Sequence, residues 1–170
     1  YHLTGNISSA LRNARAAYRI IDDTIVPIAS PEEGEAIQHA YADLANAEFG
    51  GARVHLKAAA EALSAGRFSD SARESIHAVE AVAGVIEPGA KMLGPALLKI
   101  EQSGRMNPNL RRGLNALYDY TSDERGVRHS LIDESVARVD EADAVYMFGA
   151  CAAFVSYLIR KSGLDALPPT

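Results

Sequence analysis

The chain predicts an all-α fold, a bundle of about five to six helices carrying a small N-terminal β-hairpin. Three observations lead there. Of 170 residues, 48% are apolar, and thirty are alanine, while aromatics make up only 6% and tryptophan is absent. Such a chain favours helices packed closely on helices. Apolar residues recur at helical spacing through most of its length. Two β-branched runs flank Asp22-Asp23 near the start, and aspartates tolerate tight turns.

Residues 7–17 suit a short helix. Tyr18–Ile21 and Thr24–Pro27 then read as the two hairpin strands, with Pro27 fitting only an edge. Ser30-Pro31-Glu32-Glu33 is a helix start: serine caps, proline takes the first helical position, and Glu33 stands where a capping-box acid belongs. That helix is expected to reach Glu48, with Gly50-Gly51 breaking it. A second covers 52–65, with Val54, Ala58 and Ala62 at helical spacing and Gly66 after its end. Ser69-Asp70 opens a third, to Ile86, with Ala72, Ile76, Val79, Ala83 and Ile86 as its apolar stripe. Glu87-Pro88-Gly89 ends it.

Gly94-Pro95 starts a shorter helix to about Ser103, carrying Leu97, Leu98 and Ile100. Asn107-Pro108 starts another to about Asp119, with Leu110, Leu114, Leu117 and Tyr118 facing inward. Thr121 to Val127 is polar, contains Gly126 and reads as a loop; Arg128 to Asp133 suits a helical turn. Asp140 caps the last helix, with Asp143 at the capping-box position and an end near Lys161. The expected organisation is an appendage over 1–30, a helical bundle over 31–163 and a tail over 164–170. There is no internal repeat, low-complexity tract or linker.

The formal charge of −5 argues against a surface that grips nucleic acid or an anionic membrane as a whole. It leaves room for one local basic site. The single cysteine, Cys151, cannot form an intrachain disulfide, and no Cys/His cluster has zinc spacing. A reducing, cytoplasmic location is expected. No signal peptide opens the chain, and the low-polarity run Ala144 to Val155 is too short to span a bilayer, so no membrane partner is expected. The first residue is Tyr1 rather than methionine, which suits a fragment of a longer protein.

Five segments, in order, carry a resemblance: Tyr18 to Pro27, Ser71 to Glu80, Leu117 to Glu124, Gly126-Val-Arg-His129, and the last helix from Met147 to Leu158. Together they resemble the N-terminal modules of AbiJ-type abortive-infection proteins, a branch of the HEPN-like helical domains. The resemblance covers nearly the whole chain. It implies antiphage defence, a HEPN-like bundle and homodimerisation. HEPN ribonucleases place an arginine before a histidine with four to six residues between them, usually across a dimer interface. The chemistry suits RNA. A histidine moves a proton to or from a ribose or leaving oxygen, and an arginine stabilises phosphoryl charge, without a metal or other cofactor.

This sequence departs from that spacing. Arg125 and His129 have three residues between them, as do Arg73 and His77; Arg128 adjoins His129. A loop or a second subunit could rebuild the geometry. The candidate catalytic residues are Arg128, His129 and Arg125. The stretch Arg105 to His129 holds five arginines against Asp119, Asp123 and Glu124, which suits a phosphate-rich ligand. Tyr118 and Tyr120 could stack on a base, with Thr121 and Asp123 beside them. Glu74 and Glu80 are the candidates to orient His129 or hold Arg128. Against this stands a structural reading, with Arg128 paired to a buried glutamate and His129 bonded to backbone. His2, His39 and His55 are scattered and read as surface or core residues. Cys151, in Gly149-Ala-Cys-Ala-Ala153, reads as close-packed core or as part of a helix contact between subunits.

Two functions follow. The first is a metal-independent endoribonuclease of antiphage defence, with RNA as its ligand. The second is a non-catalytic module that dimerises or senses a nucleotide-like ligand and controls an effector domain in a longer protein. A domain with no ligand is the baseline.

Overall fold

The computed structural model describes residues 2–14, 17–90, 92–122 and 139–163. Among them the chain is mostly helical, with seven α-helices and one two-stranded antiparallel hairpin. Helix α1 (His2–Asn13) precedes strands β1 (Tyr18–Ile21) and β2 (Thr24–Pro27). Helices α2 (Pro31–Asp43), α3 (Gly50–Ser64), α4 (Phe68–Ile86), α5 (Leu93–Gln102), α6 (Pro108–Ser122) and α7 (Glu141–Ser162) follow.

The hairpin has the expected strands, paired from Tyr18↔Pro27 to Ile21↔Thr24. Its two-residue turn holds Asp22 and Asp23 at φ 46° and 66°, the left-handed pair that a type I′ turn requires. Ser30 caps α2 as its sequence indicates: the Glu33 N–H donates to Ser30 Oγ at 3.1 Å. The Glu33 carboxylate accepts from the Ala29 N–H, one residue before the cap. Asp140 and Asp143 close a full capping box on α7, with reciprocal bonds of 2.9 and 3.2 Å. Gly66, at φ 72°, ends α3 in a Schellman turn: its N–H donates to Leu63 O and that of Arg67 to Ala62 O.

Helix α4 runs between α3 on one side and α7 on the other, and α2 packs on α7. Its buried stripe is Ala72, Ile76, Val79 and Ala83, with Val82 and the hydroxyls of Ser71 and Ser75 beside it. Facing it, α7 buries Met147, Phe148, Cys151, Val155 and Leu158. Each large apolar side chain removed from water here contributes about 1.5–3 kcal/mol. The many alanines let the helix axes approach. By length and composition α7 is apolar enough to cross a membrane. A little over half of its apolar stretch is buried inside the structure.

Several boundaries differ from expectation. The described residues have the expected six bundle helices, α2 to α7, with α1 before the hairpin; the differences lie at the ends of elements. Helix α1 begins at His2 rather than near residue 7 and ends at Asn13, not Ala17. Helix α2 stops at Asp43, not Glu48, because Asn46 caps a separate 3-10 turn over Ala47–Phe49 and so competes with helix continuation. Gly50 and Gly51 begin α3 instead of breaking a helix; Gly50 takes ordinary right-handed helical angles.

The phase of α3 also differs. Val54 is exposed, and the buried face is Ala52, Leu56, Ala59, Ala60, Ala62 and Leu63, because the two leucines carry more apolar area than Val54 and Ala58. Leu110, expected to face inward, is exposed, and so is Leu98. Thr121 and Ser122, expected in a loop, form the last turn of α6.

Candidate functional site

Of the expected site residues, Asp123, Arg125, Arg128 and His129 lie outside the described residues. The ends of the segment that holds them are described. Tyr120, two residues before α6 ends, sits beside the start of α7: burial pushes its phenol pKa up, and the charges of Asp143 and Asp140 push it further. The chain therefore leaves α6 and enters α7 at one end of this helix pair.

Between α6 and α7 lies an open groove of about 540 Å³, lined by Leu110, Leu114, Leu117, Tyr120, Tyr146 and Tyr157 among others. Tyr120 and Tyr146 are exposed. Tyr118 is half-buried and packs against the core. Thr121 is buried, and its hydroxyl donates to Tyr118 O at 2.7 Å, so its described bond is to backbone.

The charge of the stretch from Arg105 is less free than its composition indicates. Arg105 pairs with Glu87 at 2.9 Å, and Arg111 pairs with Glu101. Arg112 is exposed and reaches Asn109. The first two arginines thus brace α6 and its approach against α4 and α5.

On α4, His77 stands three residues from Glu74 on one side and three from Glu80 on the other, so it neighbours each carboxylate in the helical register. What meets them among the described residues is His55 of α3. Its Nδ1 stands 2.8 Å from Glu74 Oε2, and His77 Nδ1 stands 4.0 Å from Glu74 Oε1. The two imidazoles lie edge to face, with centroids 5.4 Å apart. His55, His77 and Glu80 line a cleft of about 480 Å³ that extends to Ala90 and Met92. All three members of the His55–Glu74–His77 group are partly exposed.

Sequence reasoning set His55 aside because it is far in sequence from any other histidine or acid of note. One signal was available. Residues 55 and 77 are each eleven positions from Gly66, since 66 − 55 = 11 and 77 − 66 = 11. A tight helical hairpin closing at Gly66 brings residues equally distant from it into register.

A third cleft, of about 700 Å³, separates α2 from α7 and is lined by Glu32, Glu35, His39, Tyr157, Arg160 and Lys161 among others. Its charges are mixed, and Lys161 Nζ lies 5.7 Å from the Tyr157 ring centroid. Cys151 is buried in the core, where burial pushes its thiol up to about 12.

The chain matches no protein-family model, no curated protein and no solved structure.

Proposed function

We propose that this chain is an AbiJ-type, HEPN-like module of antiphage defence that binds RNA along the α6–α7 groove and cleaves it with Arg128 and His129. The observation that carries this reading is the groove itself. Exposed Tyr120 and Tyr146 flank an apolar trough between α6 and α7, and Tyr120 precedes Arg125 by five residues in the chain. Tyrosine faces stack on bases of any identity, and arginines beside them meet phosphates. The five segments of the resemblance add to it: described parts of them fall on the hairpin, α4, α6 and α7, in order. His129 would move the proton of the attacking or leaving oxygen, and Arg128 would hold the phosphoryl charge. Arg125 and Asp123 would complete the contacts from the same segment.

A second reading is favoured by the three-residue spacing between Arg125 and His129. In it the module is non-catalytic: it forms a homodimer or senses a nucleotide-like ligand, and it controls an effector domain. One experiment separates the two. The purified chain is incubated with single-stranded RNA in EDTA, and both binding and cleavage are followed. Cleavage that disappears in Arg128→Ala and His129→Ala supports the nuclease. RNA that is bound but left intact supports the non-catalytic module. RNA neither bound nor cut removes the first reading. Tyr120→Ala and Tyr146→Ala should each weaken binding by about 1–3 kcal/mol if the groove is the RNA path.

A further inference from the structure

We propose that His55, Glu74 and His77 form a binding site for one divalent transition-metal ion of the zinc type, bridging α3 and α4. Two imidazoles and one carboxylate are the donors that such ions prefer. One ligand atom from each of the three residues lies within 4.8 Å of the others. Around a tetrahedral zinc with bonds near 2.0–2.1 Å, ligand atoms stand about 3.3 Å apart. His55 Nδ1 stands 2.8 Å from Glu74 Oε2 and His77 Nδ1 stands 4.0 Å from Glu74 Oε1, so the two imidazoles approach the two oxygens of one carboxylate. Ligand atoms within 4.8 Å of one another need to draw together by at most about 1.5 Å to reach the tetrahedral spacing, within the reach of side-chain rotation.

The scaffold holds these positions. Helices α3 and α4 are joined by only three residues, Ala65, Gly66 and Arg67, and the Schellman turn locks the joint. The two helices then pack along their length through Leu56, Ala59, Ala60 and Leu63 of α3 and the buried stripe of α4. On α4, the i, i+3 spacing of Glu74 and His77 places carboxylate and imidazole one above the other. The cleft of about 480 Å³ opens beside the two histidines and carries Glu80 on its wall. Three protein ligands with one side toward solvent leave a fourth position for water or an anionic group, with Glu80 placed to accept a hydrogen bond from that water.

The site does not depend on RNA cleavage, and its test reads metal directly. The tag-free full chain, stripped with a chelator and dialysed, is titrated with Zn²⁺ by calorimetry. One equivalent should bind, and bound Co²⁺ should show the intense visible bands of a four-coordinate ion. Zinc should raise Tm, because it binds only where α3 and α4 are paired. His55→Ala, His77→Ala and Glu74→Gln should each lose both the zinc uptake and the rise in Tm, while keeping the helical circular dichroism of the parent. His39→Ala, remote from the cluster, should bind like the parent. Glu74→Gln keeps the shape and hydrogen-bonding reach of the side chain, so its loss of zinc reports the carboxylate and not the fold. Absence of stoichiometric zinc in the parent, or zinc retained undiminished in a His55→Ala/His77→Ala variant, overturns the proposal.

Discussion

Glu33 lies against the bare α-carbon of Gly149: a Cβ at that position would stand 2.2 Å from Glu33 Oε1. The same carboxylate accepts from the Ala29 N–H, so one side chain both finishes the start of α2 and seals α2 onto α7. Gly149→Ala must displace a side chain that also serves the helix cap. It should destabilise the chain by about 1–3 kcal/mol, read as a lower urea midpoint. In Glu33→Ala/Gly149→Ala the clash has no partner, and the combined loss should fall short of the sum of the single losses.

The hairpin turn allows a gain. Asp23 holds φ 66°, whereas Asp22 at φ 46° pairs with Arg53 of α3 at 3.0 Å. Glycine adopts this region without steric cost. Asp23→Gly should stabilise the chain by roughly 0.5 kcal/mol. Asp22→Gly should gain less, because it also removes the tie between hairpin and bundle. Thermal unfolding of the two variants side by side checks the order.

Helix α7 starts on a full capping box. Asp140→Ala removes the acceptor for the Asp143 N–H and half of the reciprocal box. It should cost about 1 kcal/mol, within the usual range for an N-cap aspartate. The loss should appear in urea unfolding with an unchanged slope.

Cys151 supplies a pH and reactivity prediction. Burial holds its thiol up to about 12 from an ordinary value of 9.0. An acid whose pKa is raised by folding favours the folded state fully below its unfolded pKa, and that contribution is lost as pH rises through the folded value. Stability from this group should therefore be constant below about pH 9 and decline from there toward pH 12. In Cys151→Ala that part of the decline should be absent. At neutral pH the thiol should resist a soluble disulfide reagent until urea unfolds the chain, since reaction needs exposed thiolate. Fast labelling of the folded chain would contradict the packing of α7 against α4.

Much of the fold was legible because the signals act over a few residues. Ser30 and Asp140 accept from amides three positions on, and Pro31 suits the first turn by its own ring geometry. Asp22-Asp23 between two β-branched runs sets the register of the hairpin without outside help. The ends of α2 and the start of α3 were not legible. Asn46 capping its own short turn and Gly50 adopting a helical conformation depend on how Leu44 and Phe49 bury, and both are nearly fully enclosed by the rest of the bundle. The exposed Leu98 and Leu110 follow the same logic: helical spacing shows that a stripe exists, not whether a neighbour covers it.

For the site, residue chemistry named Glu74 and Glu80 as two candidate carboxylates on one helix, α4. It also nominated Tyr118 and Tyr120 to stack on a base; of the two, Tyr120 is exposed and Tyr118 packs against the core. It did not join Glu74 to His55. Nor did it show that Arg105 and Arg111 are braced by Glu87 and Glu101. Those pairings span nineteen, eighteen and ten residues, and they exist only when α3, α4, α5 and α6 have docked in one particular rotation. Local sequence sets where helices and turns begin and end, because backbone and cap energies are settled among near neighbours. Which charged and imidazole side chains then face one another is settled by the burial of large apolar residues on the opposite faces, a choice that belongs to the whole bundle at once.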